Sequence, residues 1–124
     1  MAVTLSKQVR PNAKLQEMYI NIEQGQRVII QTEGLWSPDL RNTIDWCGAN
    51  GFADRIGDSK YLMEGVNVGA LVGKIGDYGP FAVGAYYDFK SSASGPLYLA
   101  MNEDPERHDQ AGLITIHVVL FDME

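Results

Sequence analysis

The stretch "GLITIHVVLFD" (residues 112–122) alternates aliphatic side chains with other side chains along most of its length. Successive side chains of a β-strand point to opposite faces, so this pattern predicts a strand with one continuous aliphatic face. Such a face is buried when a sheet packs against a core on one side. The residues that would share it are Ile114, Ile116, Val118 and Leu120.

Six earlier runs are also rich in β-branched and aromatic residues, and turn residues separate them. The runs 18–23 and 27–33 are joined by a short turn that contains Gln and Gly, which predicts a β-hairpin. Strands punctuated by turns about every dozen residues are typical of an antiparallel sandwich. We therefore predict one all-β domain over residues 1–124, an antiparallel β-sandwich. The six runs are residues 3–9, 18–23, 27–33, 69–76, 80–89 and 96–102.

Composition limits the partners and the compartment. Ten basic and 16 acidic residues give a net charge of −6, which repels phosphate backbones, so we expect no nucleic-acid partner. The single cysteine, Cys47, excludes an intramolecular disulfide. The N-terminus lacks the apolar segment of a signal peptide, and no run reaches the roughly 18 apolar residues of a membrane span. We expect a protein that is cytoplasmic or exported without a signal peptide.

Several motifs of enzymes and nucleotide-binding proteins are incomplete. "GALVGKI" (residues 69–75) has a Gly-Lys pair but wrong glycine spacing, and Ile75 stands where a phosphate loop has Ser or Thr. Asp54 and Asp58 could form an acid pair, although loop carboxylates in an acidic chain are more often solvated. The two histidines, His108 and His117, lack the spacing of zinc ligands. We predict that the chain is not an enzyme.

The stretch "MNEDPERHDQAG" (residues 101–112) is rich in oxygen donors between two predicted strands. Calcium takes six to eight oxygen ligands and favours loops that wrap around it. The spacing is not that of an EF-hand, so composition leaves two interpretations open: a calcium site or a solvated polar loop. The oxygen-bearing residues are Asn102, Glu103, Asp104, Glu106, Asp109 and Gln110.

The order of several segments resembles the PA-IL-like galactophilic lectin family over nearly the whole chain. The strongest part is "GALVGKIG" (69–76), followed by "FAVG" (81–84) and "GPLYLAMNE" (95–103); "EQGQRVIIQTEGLW" (23–36) and "DQAGLITIHV" (109–118) lie in the expected order. The resemblance implies a jelly-roll, galactose-binding-domain-like β-sandwich. It also implies one calcium ion that bridges protein and sugar, and a lectin that gains avidity as a homo-oligomer.

Individual site residues follow from the resemblance position by position. Asn102 and Glu103 fall on the family's Asn-Asp pair, and Arg107 lies near a backbone-carbonyl ligand. The side chains lengthen at some of these positions, and a single methylene can move an oxygen out of the calcium shell. The implied metal ligands are Asp39 (or Pro38), Glu103, Arg107, Asp109 and Gln110, and the implied sugar-binding residues are Arg55, Asp58, Glu103, Asp104, Arg107 and Asp109.

Two further hypotheses concern the predicted calcium and sugar site. Trp46 or Phe52 could supply an apolar wall for a sugar ring, the alternative being core packing beneath the long polar segment 35–65. The guanidinium of Arg107 could instead occupy the calcium position and neutralise Glu103 and Asp109. The function predicted first is therefore non-catalytic, calcium-dependent carbohydrate binding. The alternative is a cation-free sandwich that acts as a protein-interaction or assembly module.

Overall fold

A computed structural model describes residues 1–38 and 45–123. These residues form nine strands and contain no helix. No helix among them is therefore long and apolar enough to cross a membrane. The strands are β1 (Ala2–Val9), β2 (Gln16–Ile22), β3 (Arg27–Ser37), β4 (Asn50–Ile56), β5 (Asn67–Ile75), β6 (Phe81–Ala82), β7 (Tyr86–Lys90), β8 (Gly95–Met101) and β9 (Ala111–Phe121).

The strands form two antiparallel sheets that enclose one core. The first sheet has the order β1-β9-β3-β7. The second has the order β2-β8-β5-β4, and the short β6 pairs with β5 at residues that β4 leaves unpaired. The predicted all-β antiparallel sandwich is confirmed.

Strand β9 lies at the centre of the first sheet and has the two faces predicted from its sequence. Ile114, Ile116 and Val118 are completely buried, because this face packs against the second sheet. On the opposite face, His117 stands across from Ser6 of β1 and Gln31 of β3. The alternation of side chains thus sets the orientation of the strand.

Strand β5 is the central strand of the second sheet and is buried along residues 68–73. Gly73 is needed for close packing, since a Cβ atom there would lie 3.1 Å from the Leu99 side chain and 3.2 Å from the Phe81 ring. The glycines of "GALVGKIG" therefore permit close packing between strands, as expected once the phosphate-loop interpretation is excluded.

Trp36 connects the two sheets near the end of β3. Its side chain is completely buried, and its indole N–H donates to the carbonyl oxygen of Gly69 at 2.7 Å. The Trp36 backbone also forms a two-bond bridge with Cys47, with N to O distances of 2.9 Å in both directions. Burial raises the pKa of the Cys47 thiol to about 11, so the thiol stays protonated at neutral pH.

The predicted hairpin between residues 18–23 and 27–33 is wrong. Strand β2 pairs with β8 in the second sheet, whereas β3 pairs with β7 and β9 in the first. The intervening turn therefore carries the chain across the core from one sheet to the other. An apolar face indicates that a strand is buried on one side, but it does not determine which sheet the strand joins.

Two further segments differ from the sequence prediction. The run 80–89 is not one strand, because β6 and β7 belong to different sheets and Gly84 between them has a left-handed φ of +71°. The polar segment 35–65 contains a strand that the sequence pattern did not predict, β4, whose residues Asn50 and Phe52 pair with Ala70 and Val68. The alternation in β4 is weak because both of its faces are partly exposed.

Candidate functional site

The ends of several strands meet at one corner of the sandwich. Ser37 at the end of β3 pairs with Ala111 at the start of β9, and β8 ends at Met101. The Gly69 N–H of β5 donates to the carbonyl oxygen of Asn102 at 2.9 Å. The Leu62 N–H donates to the carbonyl oxygen of Glu103 at 3.3 Å, so the loop of residues 102–110 and the loop of residues 57–66 lie side by side.

Asn102 fastens these two loops together. Its side chain is completely buried, and its Nδ2 donates to the carbonyl oxygens of Met63 (3.0 Å), Val66 (3.0 Å) and Asn67 (3.2 Å). Its Oδ1 accepts from the Met63 N–H at 2.8 Å. Because both ends of the amide are used in this way, Asn102 has a structural role and its side chain is not placed to bind a ligand.

Glu103 is the buried acid of the corner. Its side chain is 1% exposed, and Oε1 accepts from the Asp104 N–H at 2.8 Å. The Nε atom of Arg107 lies 3.9 Å from the same Oε1, and the Arg107 side chain is 43% exposed. The guanidinium therefore compensates the buried carboxylate on one side and reaches solvent on the other.

A depression of about 280 Å³ opens beside this pair. Charged and hydroxyl groups on its wall converge next to aliphatic side chains, an arrangement typical of sites that bind small polar ligands. The lining residues are Pro38, Arg55, Ile56, Tyr61, Val68, Glu103 and Arg107.

Arg55 is held in place on two sides. Its guanidinium pairs with the Asp45 carboxylate, and its carbon Cζ lies 4.4 Å from the centre of the Phe52 ring. A cation over an aromatic face is attracted by the ring quadrupole, so Phe52 orients the arginine and does not itself line the depression.

Tyr61 supplies a hydroxyl that the sequence did not suggest. Burial, and next the Glu103 carboxylate, raise the pKa of this phenol above its ordinary value of 10.0, while the Arg107 guanidinium acts in the opposite direction. The hydroxyl is therefore protonated at neutral pH and can donate a hydrogen bond. Tyr61 was not predicted because a lone aromatic residue in a polar segment has no periodicity to mark it.

The sequence-predicted site residues are only partly brought together. Arg55, Glu103 and Arg107 line one depression, while Asp58 and Asp104 are close enough to influence Tyr61. Asp109 and Gln110 do not line it and lie further along the loop. Asp39 is outside the described residues.

Trp46 does not pack in the core. It does not line the depression, and it is 45% exposed, so it is not core. A Cβ atom on Gly112 would come within 2.6 Å of the Trp46 ring. The indole therefore lies close to the backbone at the start of β9.

A basic side chain stands beside the acidic one at the positions implied for calcium ligation. No group of three or more His, Cys, Asp or Glu side chains within residues 1–38 and 45–123 could hold a metal. The Arg107 guanidinium stands beside Glu103, the implied acidic ligand, and the Arg107 carbonyl accepts a hydrogen bond from Gln110 Nε2 at 2.9 Å.

A second polar cluster lies away from this corner, on the outer face of the first sheet. Ser6 Oγ is 2.6 Å from His117 Nδ1, and His117 Nε2 is 3.3 Å from Glu33 Oε2. The three side chains stand on adjacent strands β1, β9 and β3. They lie on an exposed sheet surface, and the depression at the corner does not include them.

Comparison with known proteins identifies the fold. No family model matches the chain, and no curated protein matches its sequence. The chain is similar to a solved structure described as "EclA N-terminal domain; PllA-like lectin", with a TM-score of 0.71 and 20% sequence identity. The similarity covers 94% of this chain and 95% of that chain. The chain thus has the fold of this lectin domain, in agreement with the resemblance in the sequence.

Proposed function

We propose that the chain is a carbohydrate-binding protein of the lectin type, and that it acts by recognition without covalent chemistry. The observation that carries the proposal is the convergence of Arg55, Tyr61, Glu103 and Arg107 around one depression. The similarity in fold to a solved lectin domain supports it as well. The proposed ligand-binding surface is this depression, at the corner where the loops 57–66 and 102–110 meet.

The chemistry of the depression suits a sugar ring. Arginine donates hydrogen bonds, and the tyrosine hydroxyl both donates and accepts them, so both lone pairs and O–H groups of sugar hydroxyls find partners. Ile56 and Val68 offer an aliphatic surface for the C–H face of the ring. The groups are largely held in place before binding, which lowers the entropy lost when a ligand binds.

The test is a glycan array followed by calorimetry with the best sugar. We expect Arg55→Ala to weaken binding about tenfold, since a hydrogen bond to a charged group contributes about 1.5 to 3 kcal/mol. Lys90→Ala is the matched control. Lys90 of β7 stands opposite Arg27 in the pairing of β7 with β3, at the end of β3 that is far from the depression. An array without any bound glycan, or an Arg55→Ala variant that binds as the wild type does, would contradict the proposal.

For calcium, we propose that the ion and Arg107 compete for Glu103. The guanidinium repels a divalent cation and already compensates the carboxylate. We therefore expect a chelator to leave sugar binding by the wild type unchanged, and Arg107→Ala to bind calcium at least about tenfold more tightly than the wild type does. Calorimetry with calcium measures this. Equal calcium affinities, or loss of sugar binding with chelator, would overturn the competition.

We propose in addition that copies of the chain assemble, since several weak sugar sites gain avidity when they are linked. An exposed apolar surface favours such an assembly or a protein partner: Leu35 and Leu113 are paired across β3 and β9, and Trp46 lies next to them over Gly112. Light scattering gives the molar mass in solution. Co-purification of another protein would favour the partner-binding alternative.

A further inference from the structure

A second depression, of about 340 Å³, adjoins the proposed sugar site on the other side of the loop 102–110. Arg107 lines both depressions, and its side chain is 43% exposed. A ligand longer than one sugar ring could therefore contact Arg107 from both sides. The residues that line the second depression are Asn12, Ala13, Lys14, Pro105, Arg107 and His108.

The backbone that carries Lys14 is fixed against the site. The carbonyl oxygen of Asn12 accepts from the Met101 N–H at 2.9 Å, which attaches the turn between β1 and β2 to the end of β8. Asn12 Oδ1 accepts from the Lys14 N–H at 2.9 Å, and Gln16 Nε2 donates to the carbonyl oxygens of Arg10 (3.1 Å) and Lys14 (3.3 Å). The base of the lysine side chain thus has a defined position.

The charge of the second depression is opposite to that of the chain. Lys14, Arg107 and His108 supply its ionisable groups, and no acidic side chain is found among the described residues that line it. The whole chain carries a net charge of −6. A local cluster of basic groups in an acidic protein attracts an anion and selects against neutral ligands of the same shape.

From this we infer that the second depression is a subsite for an acidic sugar residue, so that the preferred ligand is an oligosaccharide with a carboxylate or sulfate next to the ring bound in the first depression. The inference rests on the proposed function. Arg107 offers a planar fork of donors that matches an oxyanion, and Lys14 adds a point charge on a flexible stem. His108 adds a ring nitrogen at the rim.

The test compares ligands with the same rings and different charge. The probes are a galacturonic acid disaccharide and its methyl ester, and a sulfated galactose disaccharide and its unsulfated parent, titrated into the full chain. We expect the charged member of at least one pair to bind about tenfold more tightly. The preference should shrink as the salt concentration rises from about 0.05 M to about 0.3 M, because salt screens exposed charges. A preference in the first pair indicates a subsite for a carboxylate, and a preference in the second pair indicates a subsite for a sulfate.

Lys14→Gln tests whether the subsite is responsible. We expect this variant to reduce the ratio of charged to neutral affinity, because Lys14 supplies one of the two permanent positive charges of the depression. The charge-matched control Lys90→Gln should leave the ratio as it is in the wild type. Binding of neutral probes without any preference for the charged members would overturn the inference and leave the proposed function intact. A preference that is as large in Lys14→Gln as in the wild type would also overturn it. Failure of every probe and of the glycan array would remove the proposed function and the inference together.

Discussion

Asn102→Asp is expected to destabilise the fold by about 3 to 5 kcal/mol, the range found when a buried charge loses its partner. The substitution keeps the size of the side chain but replaces the amide that donates to the carbonyl oxygens of Met63, Val66 and Asn67. An ionised carboxylate at this position would face these oxygens without any hydrogen-bond donor. The loop 57–66 would then lose the hydrogen bonds that Asn102 Nδ2 donates to it, and Tyr61 would be held less firmly in the depression.

Urea unfolding measures this effect through the transition midpoint at constant slope. Asn21→Asp is the control, since Asn21 is an exposed residue of β2 and the same chemical change there should alter the unfolding free energy by less than about 0.5 kcal/mol. Protonation removes the new charge, so the destabilisation should be smaller at acidic pH than at neutral pH. Equal losses of stability for the two variants would show that the Asn102 clamp contributes nothing specific.

The fold could be predicted from the sequence where the local pattern decides it. The alternation in β9 marks Ile114 and Ile116 as the buried face, and the structure has them completely buried. The pattern could not reveal that β2 and β3 belong to different sheets, because a strand in either sheet buries one face against the same core. A short turn between two strands is compatible with a hairpin and with a crossing between sheets, and only packing of the whole domain distinguishes them.

The candidate site could be predicted only in part for a similar reason. Glu103 and Arg107 lie in one loop, so their proximity could be suggested from sequence spacing. The meeting of Tyr61 with this pair depends on the attachment of the loop 57–66 through Asn102, an interaction between residues 35 to 39 positions apart. Asn102 fell on a position that the resemblance assigns to a ligand pair, and the structure uses its amide to hold the backbone.

Arg107→Ala is expected to have the largest effect on binding, a loss on the order of 10- to 100-fold for a glycan, in the absence of calcium. Its guanidinium lines both depressions, so its removal takes hydrogen-bond donors from each. The preference for acidic sugars should also disappear, because Arg107 carries the charge that is common to the two depressions. Calorimetry with the neutral and acidic probes measures both effects, and Lys90→Ala controls for the change in net charge.

The same substitution also separates the two roles of Arg107. Glu103 is 1% exposed, and the Arg107 Nε atom lies 3.9 Å from its carboxylate, so the substitution removes a positive charge next to a buried negative one. Arg107→Ala should therefore lower the stability of the fold, and adding Glu103→Gln should restore part of that loss by removing the buried charge, which a double-mutant cycle quantifies. Binding should not recover in the double variant, because the donors to the glycan are still missing. Recovery of binding together with stability would mean that Arg107 only supports Glu103 and does not contact the ligand.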